Sequence, residues 1–205
     1  MPQLQPITVL PATGEELRAA LPELARLRQQ VFRAFPYLYE GDTDYEEKYL
    51  QTYLNAPGAV VVVAREDGGR VVGASTAVPL VQETPEIQAP FTPPEFDRSA
   101  VLYLGESVLL PEFRGRGIGH QFFDVREAHA RALGLNVTAF CAVQRAELHP
   151  DRPADSHPLN AFWTARGYTE RPDLHTQMTW RDMGEAQETA KEMRFWVKKN
   201  GEGGV

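Results

Sequence analysis

The densest chemistry in the chain lies in Leu109-Leu110-Pro111-Glu112-Phe113-Arg114-Gly115-Arg116-Gly117-Ile118-Gly119. Glycines at alternate positions let a backbone come close to a ligand and turn its N–H groups outward. From Ile118 onward the pattern is helical, and the first N–H groups of a helix lack partners and carry partial positive charge. Arg114 and Arg116 add two full charges. Together these suit an anion the size of a phosphate or pyrophosphate. The dinucleotide fingerprint fails, because counting from Gly115 the third glycine falls at His120, and no Gly-Lys-Ser/Thr follows. The bland alternative is an arginine-flanked turn that only caps a helix.

Just upstream, Glu106 sits in Tyr103-Leu104-Gly105-Glu106-Ser107. Burial among apolar neighbours would raise its carboxyl toward the range of a general base. The alternative is a strand carboxylate paired with an arginine or a backbone amide. A second concentration spans residues 32–53, where Phe32, Phe35, Tyr37, Tyr39, Tyr45, Tyr49 and Tyr53 are interleaved with Glu40, Asp42, Asp44, Glu46 and Glu47. Aromatics beside carboxylates suit a cationic amine, although tyrosines at helical spacing also build cores. His149, Asp151 and His157 occupy a polar loop. Five scattered histidines and the single Cys141 have no zinc spacing, so no metal is expected. Cys141 reads as a buried strand residue.

The elements that must position these residues follow from periodicity. Residues 6–10 alternate as a strand. Leu17, Leu21, Leu24, Leu27, Val31 and Phe35 mark a helix over about 15–34, with a kink or restart expected at Pro22. A helix over 45–54 is followed by a hairpin over 59–79 that turns at Asp67-Gly68-Gly69. Residues 81–100, rich in proline, read as a long loop with room for a short helix. A strand over 100–110 leads into a helix over 117–133, with Ile118, Phe122, Val125, His129 and Ala132 on one face and Gly134 as its cap. Then come a strand over 136–143, a loop over 145–158, a helix from Pro158 to about 166 capped by Asp155 or Ser156, and strands over 174–180 and 192–198.

The 205 residues predict one domain over 1–199 and a flexible glycine-rich tail over 200–205. Acidic residues outnumber basic ones 28 to 21, for a formal charge of −7, which disfavours nucleic acid. No apolar run approaches a membrane span, and Met1-Pro2-Gln3-Leu4 lacks signal-peptide features, so a cytoplasmic protein without a membrane partner is expected.

Arg114, Gly117 and Gly119, placed after Pro111-Glu112-Phe113 and at the start of a helix, form an Arg-x-x-Gly-x-Gly pattern. It resembles the acyl-CoA-binding motif of the GNAT N-acetyltransferase superfamily. The element order from about 6 to 180 is similar to that family's, and Phe162-Trp163-Thr164-Ala165-Arg166-Gly167-Tyr168 resembles its late helix. The resemblance implies an α/β (α+β) fold, with a mixed, mostly antiparallel sheet of about seven strands, helices on both faces and a splay beside the motif strand. It implies acetyl-CoA as co-substrate. The amides of Gly115, Arg116, Gly117, Ile118 and Gly119 would hold the pyrophosphate, with Arg114 and Arg116 in support or facing solvent. Leu109 would pair with the pantetheine arm and offer an N–H to the oxyanion, Asn160 would touch CoA, and Glu106 would be the base. Phe35, Tyr37 and Tyr39 would face the acceptor. Trp163 stands at the position of the family's acidic tyrosine, and an indole is no usable acid; Tyr103 is a stand-in, or the thiolate leaves unaided. The implied activity is direct acetyl transfer, in a ternary complex, to a primary amine of a small molecule. Acetylation of a protein N-terminus or lysine is the same-fold rival, and a catalytically weak acyl-CoA sensor the rival of another class. A homodimer is left open.

Overall fold

The computed structural model describes residues 6–200, apart from the side chains at 43–45, 47 and 48. Expectations resting on Asp44, Tyr45 and Glu47, and on the tail beyond Asn200, lie outside the described residues. Asn200 itself donates its N–H to the Asn136 carbonyl at 2.7 Å.

The β-branched run Val60–Ala64 and the segment after Gly69 form the hairpin β2 (Val60–Glu66) and β3 (Val71–Pro79). Gly69, at φ +82°, takes the left-handed turn position and donates to the Glu66 carbonyl. Strand β3 is buried from Val71 to Val78, as a strand covered on both faces must be. With β1 (Ile7–Ala12), β4 (Val101–Leu109), β5 (Val137–Val143), β6 (Thr169–Trp180) and β7 (Thr189–Lys199), these strands make one sheet in the order β1-β2-β3-β4-β5-β7-β6. Only β4 and β5 run parallel. The last two strands are longer than the sequence suggests. Strand β6 begins early because its register shifts between Arg171 and His175, which interrupts the alternation.

Helix α1 (Gly14–Phe32) turns Leu17, Leu21, Leu24 and Leu27 into the core and runs through Pro22 without a break. Pro22 is exposed, so the hydrogen bond it forfeits lies opposite the buried face that holds the helix. Helix α2 (Thr43–Asn55) packs against α1. Helix α4 (Ile118–Ala132) buries Ile118, Phe122, Phe123, Arg126, Glu127 and Ala130. Its inner face is therefore rotated from the expected one: Ala132 is exposed and His129 only half-buried, because Arg126 and Glu127 have partners inside. Gly134, at φ +72°, closes the helix as expected. Within residues 81–100 the loop holds a short helix, α3 (Pro85–Gln88), and Ile87, Phe91 and Phe96 form a second apolar cluster with Tyr103 and Phe195. Helix α5 spans only Asn160–Ala165. Its cap is Leu159, with no side-chain cap bond, so Pro158, Asp155 and Ser156 do not start it.

Two irregularities in β4 position the site. Its parallel pairing with β5 covers only Val101–Tyr103 against Val137–Ala139. Beyond Tyr103 the strands part, leaving the β5-facing edge of residues 104–109 without a strand neighbour. Second, the register with β3 passes from Val78↔Tyr103 to Thr76↔Glu106, so two residues of β4, Leu104 and Gly105, face the single Ala77. That is a bulge, and it inverts the side-chain parity downstream. Glu106 meets Arg28 of α1, while Ser107 meets Arg126 of α4. Successive strand side chains point to opposite faces, so α1 and α4 cover opposite faces of the sheet.

Candidate active site

The glycine loop follows from how β4 ends. Leu110 donates its N–H to the Val72 carbonyl, Pro111–Phe113 make one helical turn, and Phe113 is buried. Gly115 and Gly117 have φ of +74° and +78°, and Gly117 is the N-cap of α4. A Cβ on either would meet nothing within 4 Å, and one on Gly119 would meet only Phe162 Cζ at 3.6 Å. Backbone conformation, not lack of room, requires glycine at the first two. Among the described residues, the amides of Gly115 through His120 have no acceptor within the protein. These unpaired N–H groups at the start of a helix fit a diphosphate.

The side chains around the loop are already engaged. Arg114 folds back, with Nε and Nη2 at 3.4 and 3.3 Å from the Leu109 carbonyl. Arg116 donates to the Glu112 carbonyl at 3.2 Å and lies over the Phe113 ring. Ile118 is a core residue, so only its backbone is available to a ligand. Asn160 is exposed in the first turn of α5. Trp163, half-buried, packs against Phe140 and Trp196 at the edge of the core.

Arg126 was missed in the sequence reading. It is 1 % exposed, donates to the carbonyls of Phe122, Thr76 and Glu106 and to Ser107 Oγ, and so pins β4 just where it leaves β5. Burial lowers its guanidinium to about 10. The visible signal was an arginine inside an apolar helical stripe, but its carbonyl partners follow only from the fold.

On the α1 face, Glu106 is nearly buried and its carboxylate is paired with Arg28, which is also paired with Glu46. The guanidinium lies over Tyr49 at 4.2 Å and Phe32 at 5.1 Å. Glu46 is fully buried, and its Oε1 has no hydrogen-bond partner. The hydroxyls of Tyr49 and Tyr53 are 2.9 Å apart. Tyr53 Oη occupies the space a Cβ on Gly105 would need.

The acceptor residues named from the sequence diverge. Tyr37 packs between Phe32 and Trp180, and burial first, then the fields of Cys141 and Tyr49, raise its phenol well above its ordinary value. Tyr39 lies against a small cluster of Val143, Trp180 and Met193. Phe35 turns to the other loop, onto the His149 ring at 5.7 Å and under Arg152. At the point of splay, Tyr103 Oη and Cys141 Sγ are 3.1 Å apart. Burial pushes the Cys141 thiol up to about 12 and the Tyr103 phenol well above its usual range. Tyr103 can therefore donate a hydrogen bond, but it is a poor proton source, and the thiol is a poor nucleophile. Glu83, also missed from the sequence, has its carboxyl raised by burial, against the pull of the Thr84 amide, and its field reaches Tyr53, Tyr103 and Cys141. Among the described residues no group of three His, Cys, Asp or Glu converges as a metal site, and no helix is long and apolar enough to cross a membrane.

Residues 23–150 match the model of the acetyltransferase (GNAT) family. No curated protein matches the chain. Solved structures share the fold over nearly its whole length. The ribosomal-protein-alanine N-acetyltransferase of Brucella melitensis is 19% identical, with a TM-score of 0.60 over 94% of this chain and 99% of that one. The protein yncA of Salmonella typhimurium, solved with its cofactor acetyl-CoA, is 15% identical, with a TM-score of 0.61 over 97% and 96%. An aminoglycoside N-acetyltransferase in complex with CoA is 18% identical, with a TM-score of 0.52 over 81% and 87%.

Proposed function

Since the chain belongs to the GNAT acetyltransferase family, with acetyl-CoA as co-substrate, we propose that its acceptor is a primary amine of a small molecule, acetylated by direct attack in a ternary complex. The observation that carries this reading is the buried trio of Arg28, Glu46 and Glu106 beside the open edge of β4. Two carboxylates share one guanidinium, so the ionised trio is one negative charge in excess. Tyr49 and Phe32 line it, an environment that attracts an ammonium. Phe35 of the loop after α1 meets His149 of the loop after β5, so the two loops touch. A buried acidic site favours a small amine over a lysine on a folded protein.

Acetyl-CoA supplies the activated acetyl group. The amides of Gly115 to Gly119 would hold its diphosphate, Arg114 and Arg116 would add positive charge, and Asn160 would flank it from α5. The backbone edge from Leu104 to Leu109 would pair with the extended arm, as an added strand does. Glu106 takes the proton from the acceptor ammonium, because an amine attacks only when neutral. Phe35, Tyr37 and Tyr39 shape the acceptor side. Cys141 stays a thiol, which argues against an acyl-enzyme route.

The test is thiol release from acetyl-CoA with a panel of small primary amines, run beside N-terminal and lysine peptides. Turnover confined to small amines is expected. Turnover confined to peptides would select the protein acetyltransferase instead, and coenzyme binding without any turnover would select the sensor.

A further inference from the structure

Residues 33–42 join α1, which packs on β3 and β4, to α2. Yet this loop is fastened to the other half of the sheet, across the gap between β4 and β5. Arg145, just past the end of β5, donates from Nε to the Pro36 carbonyl and from Nη2 to the Tyr37 carbonyl, both at 2.7 Å. Trp180, the last residue of β6, donates its indole N–H to the same Tyr37 carbonyl at 3.0 Å. Beyond it, the Met183 amide donates to the Leu38 carbonyl at 2.7 Å, and the Glu40 amide to the Arg181 carbonyl at 3.1 Å. Leu38 has φ +54°, a conformation a leucine keeps only when its surroundings impose it.

Arg145 is itself locked. Asp182 accepts from Nη1 at 2.6 Å and from Nη2 at 3.0 Å, and the Lys191 ammonium stands 3.3 Å from the same carboxylate. All three side chains are nearly buried. The guanidinium thus bridges a fixed carboxylate on one side and consecutive loop carbonyls on the other. Only a planar fork has donors in both directions, whereas a lysine ammonium is a single point charge.

We propose that Arg145, oriented by Asp182, is a positioning residue that sets the shape of the 35–39 loop and through it selects the acceptor amine. The inference rests on the reading above that Phe35, Tyr37 and Tyr39 shape the acceptor side. The latch closes over the gap from the acceptor side, and none of its members touches the glycine loop that would hold the coenzyme diphosphate.

The test compares Arg145→Lys, Asp182→Asn and the milder Trp180→Phe with the parent chain. Hydrogen exchange at the Glu40 and Met183 amides, which bond across the gap, should quicken by about tenfold or more in Arg145→Lys, with amides of α4 unchanged. Acceptor KM should rise by about ten- to a hundredfold, with kcat changing far less and acetyl-CoA affinity held. Trp180→Phe should move both readouts in the same direction by less. Unchanged exchange at those amides overturns the latch whatever the acceptor proves to be. Faster exchange with an unmoved acceptor KM, or a parallel loss of acetyl-CoA affinity, overturns its role in selection. A parent chain that turns over peptides but no small amine refutes the small-amine reading alone, and the KM comparison is then made on the peptide. A parent chain that turns over nothing refutes both.

Discussion

Glu106 and Arg28 show how much a residue's role depends on what it meets. As read from the sequence, Glu106 is either a carboxylate raised by burial in an apolar strand or one paired with an arginine or a backbone amide. In the fold it is buried but ion-paired, and Arg28 divides its charge between Glu106 and Glu46. Replacing Glu106 by Gln removes the proton acceptor and keeps a group that Arg28 can bond. We expect kcat to fall by about 10²–10⁴-fold with acetyl-CoA affinity within about twofold, read by steady-state turnover and calorimetry. A kcat that barely moves would leave Glu106 as Arg28's structural partner. Gly117 separates conformation from charge. Because a Cβ there meets nothing, Gly117→Ala should cost about 1–2 kcal/mol through its φ of +78° alone and still bind acetyl-CoA. Gly117→Glu adds a carboxylate at unpaired helix amides and should abolish binding in a titration. Retained micromolar affinity in the Glu variant would place the diphosphate elsewhere.

At the scale of elements, β4 carries the site because it is irregular. Its bulge at Leu104 and Gly105 decides which helix Glu106 meets, and Gly105 is required there because Tyr53 Oη lies 2.5 Å from where a Cβ would stand. Gly105→Ala should lose about 1–3 kcal/mol of stability by overpacking. Adding Tyr53→Phe should recover part of it, since the next ring atom is 3.6 Å away. A double-mutant cycle in urea measures the coupling, and strict additivity would contradict the contact. This irregularity also marks where the sequence stops being legible. The hairpin at Gly69 and the helix start at Gly117 are local, so glycine placement reveals them. The bulge is a relation between β3 and β4. Arg28's partner Glu106 and Arg126's partner Thr76 lie 78 and 50 residues away along the chain, and no periodicity reports them. Helix α5 was misplaced for a related reason: Pro158 and Ser156 carry the chemistry of a helix start, but the chain starts the helix at Asn160, with no side-chain cap.

At the scale of the whole molecule, strand pairing joins two half-sheets at Val101–Tyr103, and the loop after α1 bridges them again. Two carboxyls near this junction titrate in opposite senses, which gives the stability curve a testable shape. Burial would raise Asp182, but Arg145 and Lys191 outweigh it and hold the carboxyl below its ordinary 3.8. A depressed carboxyl contributes stability that is full above 3.8 and is lost as pH falls through its folded value. Glu83 is the reverse, because burial raises it above its ordinary 4.5. Its ionisation costs stability at neutral pH, and that cost is relieved as pH falls through the raised value toward 4.5. At neutral pH, Glu83→Gln should therefore raise Tm and Asp182→Asn should lower it, by about 2–4 °C for each kcal/mol gained or lost. On acidification the Glu83→Gln advantage should close first, on the approach to 4.5, and the Asp182→Asn deficit only below 3.8. Thermal melts across that range decide the matter. A Glu83→Gln chain less stable than the parent at neutral pH, or a deficit of Asp182→Asn already closed above 4.5, would mean that the junction is not held by the charges assigned to it.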